Sequence, residues 1–224
     1  VRAVQGYGTA VGVVSWGPGA PGPVAGAAAV VHVGGPVEPG GAPGVTPVRT
    51  TESLARAAAV NRGVVALPPE VGWVLAADTG VTLAPGALDA LLAAAVRFPR
   101  AAALGPRLPG AAAGPLPGRR DLLAGRVPLD APRTAGPVGW VDGRCVLLRR
   151  TAWESVDGYD PRHLGPADAV DLGDRLARAG WLAVHVPAAE AAVAPGPVPG
   201  MLEPLRDGLR RYAADRYRVL ARLT

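Results

Sequence analysis

The chain has no lysine and no isoleucine, one asparagine (Asn61) and one glutamine (Gln5), so all 23 of its basic residues are arginines. Residues with AT-rich codons are scarce, whereas alanine, glycine, proline, arginine and valine abound. That is the mark of a GC-rich genome, so composition reports codon supply as much as function. A single cysteine, Cys145, excludes an internal disulfide and suits a reducing compartment. Aromatic residues make up only 4% of the chain, too few to interleave with basic residues as a base-stacking platform. The net charge of +5 would ordinarily raise nucleic-acid binding. The arginines are nevertheless scattered, pairing only at Arg119–Arg120, Arg149–Arg150 and Arg210–Arg211, and no nucleic-acid partner is expected. No apolar run reaches the roughly 18–20 residues that cross a bilayer, and no charged-then-apolar leader pattern opens the sequence. The expectation is a cytoplasmic protein, or one peripheral at the inner face of a membrane.

What is present reads as alternating strands and helices. "TAVGVVSW" (9–16) and "AAAVVHV" (27–33) are short apolar strands ended by Gly/Pro stretches, and a third strand is expected at 45–49. Residues 50–67 carry a Thr/Ser start and helical spacing, and "GWVLAADTG" (72–80) is a strand running into a polar turn. The helix expected at 84–99 places Leu88, Leu91, Leu92 and Val96 on one face and stops at Pro99. After the strand "AAALGPRL", residues 109–136 look like a long surface loop. A strand at 139–150, a short helix and turn, a helix at 168–180 and a last strand at 182–187 complete the order. The helix expected at 201–223 has an apolar stripe of Leu202, Leu205, Leu209, Tyr212, Val219 and Leu223, with arginines largely elsewhere around it. Alternation of this kind argues an α/β fold with a mainly parallel sheet, whose ligands sit beyond the carboxyl ends of the strands. The turns after Trp16, Val33 and Ala77 are therefore where chemistry is expected.

The segments "SLARAAAVNRG" (53–63), "WVLAADTGVTLAPGALDALL" (73–92), "VGWVDGRCVLLRR" (138–150), "DGYDPR" (157–162) and "AVDLGDRLARAGWLAVHVPAAE" (169–190) resemble, in this order, family 2 glycosyltransferases of the GT-A fold. The resemblance lies closest to an actinobacterial rhamnosyltransferase-like branch. It implies a single GT-A-like domain over 1–224: a nucleotide-binding half at 1–100, an acceptor half at 101–196 and a C-terminal amphipathic helix at 197–224. It also implies a nucleoside-diphosphate-sugar donor, a cell-wall or lipid-linked glycan acceptor and a divalent metal, Mg or Mn. The metal would neutralise the departing diphosphate while a carboxylate deprotonates the acceptor hydroxyl.

Carried over residue by residue, those roles fit unevenly. Val33 occupies the place of an acidic turn residue, with His32 beside it. In the stretch resembling N-x-G-(F/Y)-(A/G)-x-A-x-N-x-G, Ser53 and Ala55 replace the first Asn and Gly, whereas Asn61, Arg62 and Gly63 are kept. Asn61, Arg62 and Asp78 are the implied donor-binding residues. Asp78 opens the metal-binding D-x-D turn, but Gly80 stands at its second acid, so Asp78 is the sole candidate metal ligand there and no cofactor is assured. Where relatives read Y-M-E-D-V-D-L-G-D-R-L, this chain reads "PADAVDLGDRL": Asp168 replaces the Glu and Ala169 the expected base. Asp168, and Asp142 in the acceptor region, are the candidate substitute bases. Gly139, Trp140, Gly143, Leu172, Arg175, Gly180, Trp181 and Pro187 are retained as scaffold. Two readings follow: a glycosyltransferase homologue with altered donor, metal and base positions, or a non-catalytic pseudo-glycosyltransferase that binds a protein partner.

The acids of "ADAVDLGD" have a simpler reading. Three-residue steps turn Asp168, Asp171 and Asp174 progressively around a helix, so they do not converge. Asp168 suits an N-cap and Asp171 a capping box. Arg149 and Arg150 are expected to hold a diphosphate or to pair with Asp157 or Asp160. Cys145 is expected to be buried.

Overall fold

The computed structural model describes residues 8–19, 21, 24–35, 43–110, 113–194 and 202–217, the last segment as backbone alone for 202–206. The strands are β1 (Ala10–Trp16), β2 (Ala29–Gly34), β3 (Val45–Arg49), β4 (Val71–Asp78), β5 (Val81–Leu83), β6 (Ala101–Arg107), β7 (Ala113–Gly114), β8 (Gly136–Val138), β9 (Trp140–Val141), β10 (Cys145–Arg149) and β11 (Leu182–Val193). The helices are α1 (Arg56–Ala66), α2 (Ala87–Arg97), α3 (Arg119–Leu123), α4 (Arg150–Ser155), α5 (Pro166–Arg178) and α6 (Leu202–Tyr217). A nine-stranded sheet runs β3-β2-β1-β4-β10-β6-β11-β5, with β8 also on β11, while β7 and β9 pair separately. β1, β2, β3 and β4 are parallel, as are β6 and β11; β10 lies antiparallel between β4 and β6.

Strand alternation sorts side chains onto the two faces, and both faces are covered, as near-continuous apolar strands require. Val14, Val74 and Leu148 point to the face packed by Ala57, Val60 and Val64 of α1, Ala152 of α4 and Leu172 and Leu176 of α5. Their neighbours Val13, Leu75 and Leu147 point to the other face, under Ala87, Leu91, Ala94 and Ala95 of α2. A third cluster joins Ala167, Ala169 and Val170 of α5 to Leu209, Tyr212 and Ala213 of α6 around Trp140.

Several expectations change. Val96 is 82% exposed, so the apolar face of α2 is centred on Leu91. The stretch 109–136 holds β7, α3 and the start of β8 within its loops. The last strand continues to Val193, because its outer half pairs with β5. Of the C-terminal stripe, Leu209 and Tyr212 are buried, whereas Val219 and Leu223 lie outside the described residues. α5 begins two residues before its expected start. Gly165, at φ 61, forms the N-cap and Pro166 the first turn, whose missing N–H costs nothing there, so Asp168 is no cap. No helix among the described residues is long and apolar enough to cross a membrane.

Gly173 marks the tightest approach, since a Cβ there would strike the carbonyl oxygen of Gly139. Backbone cannot swing aside as a flexible side chain does. Gly173→Ala is expected to destabilise the fold by about 1–3 kcal/mol, the usual range for overpacking, read as a lower urea midpoint at unchanged slope.

Candidate functional site

The carboxyl edge of the sheet gathers the ends of β1, β2 and β4, the turn between β9 and β10, and the first turns of α1 and α5. Arg56 opens α1 and reaches into α5, where its Nε donates to Asp168 Oδ2 at 2.9 Å and its Nη2 donates to Asp168 Oδ1 in a very short contact. The same Nη2 donates to the carbonyl of Gly165 at 2.7 Å. Both side chains are largely withdrawn from water, at 15% and 2% exposure. Burial works to lower the Arg56 guanidinium, yet Asp168 outweighs it and the net shift is upward. Burial pushes the Asp168 carboxyl above its ordinary value, against the pull of Arg56. The pattern that places Asn61 and Gly63 sets Arg56 in an aromatic slot; the scattering of arginines through the sequence hid it.

Asp142, the second candidate base, accepts two bonds from Arg144 Nε, at 3.2 and 3.1 Å, and one from Arg144 Nη2 at 2.8 Å. The Arg144 backbone N–H adds another at 2.9 Å, and the residue is 8% exposed. Asp142 also lies in the field of Arg56. Between them, Gly143 lets the guanidinium pass: a Cβ would lie 2.8 Å from Arg56 Nε. The structure thus brings Asp142 and Asp168 together around Arg56, each with an arginine of its own.

Asp78 ends β4 beside this turn, its N–H donating to the Arg144 carbonyl at 2.9 Å. Its Oδ1 accepts the Gly80 N–H at 3.1 Å, an Asx turn. With glycine at 80, the turn offers one carboxylate whose inner oxygen is already engaged, and this set does not fit a hard divalent cation. A side chain at 80 has room, since the nearest atoms to a Cβ would lie 3.8 and 3.9 Å away. A shallow hollow of about 30 Å³ adjoins this turn, bordered by Ser15, Val24, Asp78, Thr79 and Val81 but not by Asp168.

The remaining candidates lie around these elements. Asn61 donates from Nδ2 to the Tyr159 carbonyl at 2.7 Å and accepts the Tyr159 N–H on Oδ1 at 3.0 Å, clasping the turn before α5. Arg175 grips the same turn through the carbonyls of Val156 and Gly158, at 2.6 and 2.7 Å. Arg62, one step round α1, is exposed. His32 shares a hydrogen bond with its strand partner Ser15, Oγ to Nδ1 at 2.9 Å. Neither Arg149 nor Arg150 meets the expected acids: Arg149 stacks 4.3 Å over Trp73 and Arg150 pairs with Glu154, both at the far end of β4. Ala169 sits in the apolar cluster with Trp140 and Tyr212, so a carboxylate there would enter a seam of the core. The Cys145 thiol is pushed up to about 12 by burial, with Asp142 adding to the shift, so it is inert at neutral pH.

Removing one partner of a buried ion pair strands the other. Arg56→Met is therefore expected to cost about 3–5 kcal/mol in urea denaturation, while Arg56→Met with Asp168→Leu recovers most of it. Equal losses in both variants would show that the pair contributes only shape.

No protein-family model matches the chain. It is 38% identical over 178 residues to the N-acetylglucosaminyl-diphospho-decaprenol L-rhamnosyltransferase of Mycobacterium tuberculosis, in strains CDC 1551 and H37Rv, a match covering 66% of this chain and 58% of that protein. The chain thus spans little more than half the length of these relatives. Solved structures with similar architecture include GalNAc-T7 with UDP, GalNAc and Mn2+, at TM-score 0.63 and 11% identity over 85% of this chain and 45% of that one. A second is the Pyrobaculum calidifontis mannosyltransferase in complex with GDP-Man and Mn2+, at TM-score 0.60 and 16% identity over 95% of this chain and 65% of that one. A third is S. aureus TarS 1–349, at TM-score 0.56 and 9% identity over 83% and 60% of the two chains. With this sheet and this relative, the chain belongs with the family 2, GT-A-fold glycosyltransferases, on a rhamnosyltransferase-like branch.

Proposed function

We propose that the chain is a glycosyltransferase homologue in which the standard metal-dependent inverting mechanism does not operate. Its ancestry is that of transferases passing a sugar from a nucleoside diphosphate to a cell-wall or lipid-linked glycan. The mycobacterial relative, by its name a rhamnosyltransferase acting on N-acetylglucosaminyl-diphospho-decaprenol, supports that substrate class. The observation that carries the reading is the Arg56–Asp168 pair. A general base must be reached by the acceptor hydroxyl, but the Asp168 side chain is 2% exposed and both its oxygens accept charge-assisted bonds from Arg56, which leaves little room for a substrate hydroxyl. Asp142 is held the same way by Arg144. The Asp78 turn supplies a single carboxylate where a cation would need several oxygens.

A second reading, a non-catalytic partner subunit, draws support from the same pair: the arginine that engages Asp168 also ties α1 to α5, so the former site serves as a structural joint. Sugar-nucleotide hydrolysis and transfer, with UDP-, GDP- and dTDP-sugars and a polyprenyl-diphospho-GlcNAc acceptor, separate the readings. Wild type is expected to show no turnover that Mn2+ or Mg2+ stimulates. Metal-stimulated transfer that Asp168→Ala or Asp142→Ala abolishes would overturn the proposal. Slow, metal-independent transfer would retain the enzyme reading, and none at all would favour the partner subunit.

A further inference from the structure

Just before α5, a histidine sits among carboxylates without a hydrogen bond to either ring nitrogen among the described residues. His163 is fully buried, and among the described residues neither Nδ1 nor Nε2 has a hydrogen-bond partner. Its Nε2 points at Asp160 Oδ2 at 3.8 Å, Asp215 Oδ2 at 3.6 Å and Asp171 Oδ1 at 3.5 Å. These separations are too long for hydrogen bonds. They match the spacing of ligand atoms around one small cation: bonds of about 2.1 Å to a tetrahedral ion set neighbouring ligands about 3.4 Å apart. The ligand atoms of Asp160, His163 and Asp215 all lie within 4.8 Å of one another.

We propose that His163, Asp160 and Asp215 form a site for a zinc-class divalent cation that fastens α6 to the turn before α5. One imidazole with carboxylates is a borderline donor set, suited to zinc, cobalt or manganese and less to magnesium, which favours an all-oxygen shell. Asp171 lies outside this three-residue cluster but borders it, its Oδ1 facing His163 while its Oδ2 accepts from Arg175 at 2.7–2.8 Å. Arg162, 58% exposed, bridges Asp160 and Asp215 at 2.5 and 3.2 Å and is the cation the metal displaces. The placement gives the ion a mechanical role. α6 already abuts α5 at Gly208, where a Cβ would lie 2.6 Å from Ala167 Cβ, and Arg216 pairs with Asp174 at 2.7 Å. A metal at Asp215 adds a third attachment along the same seam. The site is separate from the Asp78 turn and does not depend on the sugar-transfer reading.

The test uses untagged, EDTA-stripped full chain, titrated with Zn2+ by calorimetry and thermal melting and with Co2+ by visible absorption. One ion per chain, a melting temperature raised by roughly 5 °C at saturation and a cobalt d–d band are expected. His163→Ala and Asp215→Asn should each weaken binding at least tenfold; Asp215 is 43% exposed, so its variant tests the site with the fold intact. Asp78→Ala should leave zinc binding unchanged. Absence of saturable binding, binding that survives both site variants, or binding lost in Asp78→Ala would each overturn the proposal.

Discussion

The two residues of the Arg56–Asp168 ion pair stand 112 positions apart in the chain, and the carboxyl edge of the sheet is arranged around them. The pair fixes the start of α1 to the start of α5, and its third bond, to the Gly165 carbonyl, satisfies the turn that launches α5. It requires glycine at 143, and its field reaches Asp142 and Tyr159. A buried carboxylate is tolerated only when its charge is matched nearby. Asp168 could not stand at this depth without Arg56, so the contact on which the folding of this edge depends also occupies both oxygens of its carboxylate.

The layered α/β order and its strands were legible because apolar runs broken by Gly and Pro are strong signals. The start of α5 was misread because an Asp three residues before another Asp imitates a capping box, whereas Gly165 and Pro166 set the boundary through backbone geometry. The acids of that helix were correctly expected not to converge. They go to separate cations: Asp168 to Arg56, Asp171 to Arg175, and Asp174 to Arg178 and Arg216. Arg175 and Arg178 stand at the i,i+4 positions that helical spacing offers, whereas Arg56 and Arg216 are long-range partners that leave no periodicity. Asn61 stood out by rarity, but rarity could not say that its amide would be spent on the backbone of Tyr159. The His163 site was invisible for the same reason, since it combines a turn, one helix and the end of another.

α5 is the element on which these features meet. Its first turn faces Arg56, its next faces α6 through Ala169 and Val170, and Gly173 lies against the Gly139 backbone. Gly139, Trp140 and Arg175 all take part in that packing. Of the positions that differ from the family pattern, Val33 and Ala169 belong to the apolar core.

The central claim is that this edge does not use a divalent metal to hold a diphosphate. Calorimetric titration of UDP, GDP and dTDP, each with and without Mn2+, tests it most directly. The account predicts affinities that Mn2+ leaves unchanged. An affinity raised tenfold or more by Mn2+, and returned to its metal-free value by Asp78→Ala, would contradict it.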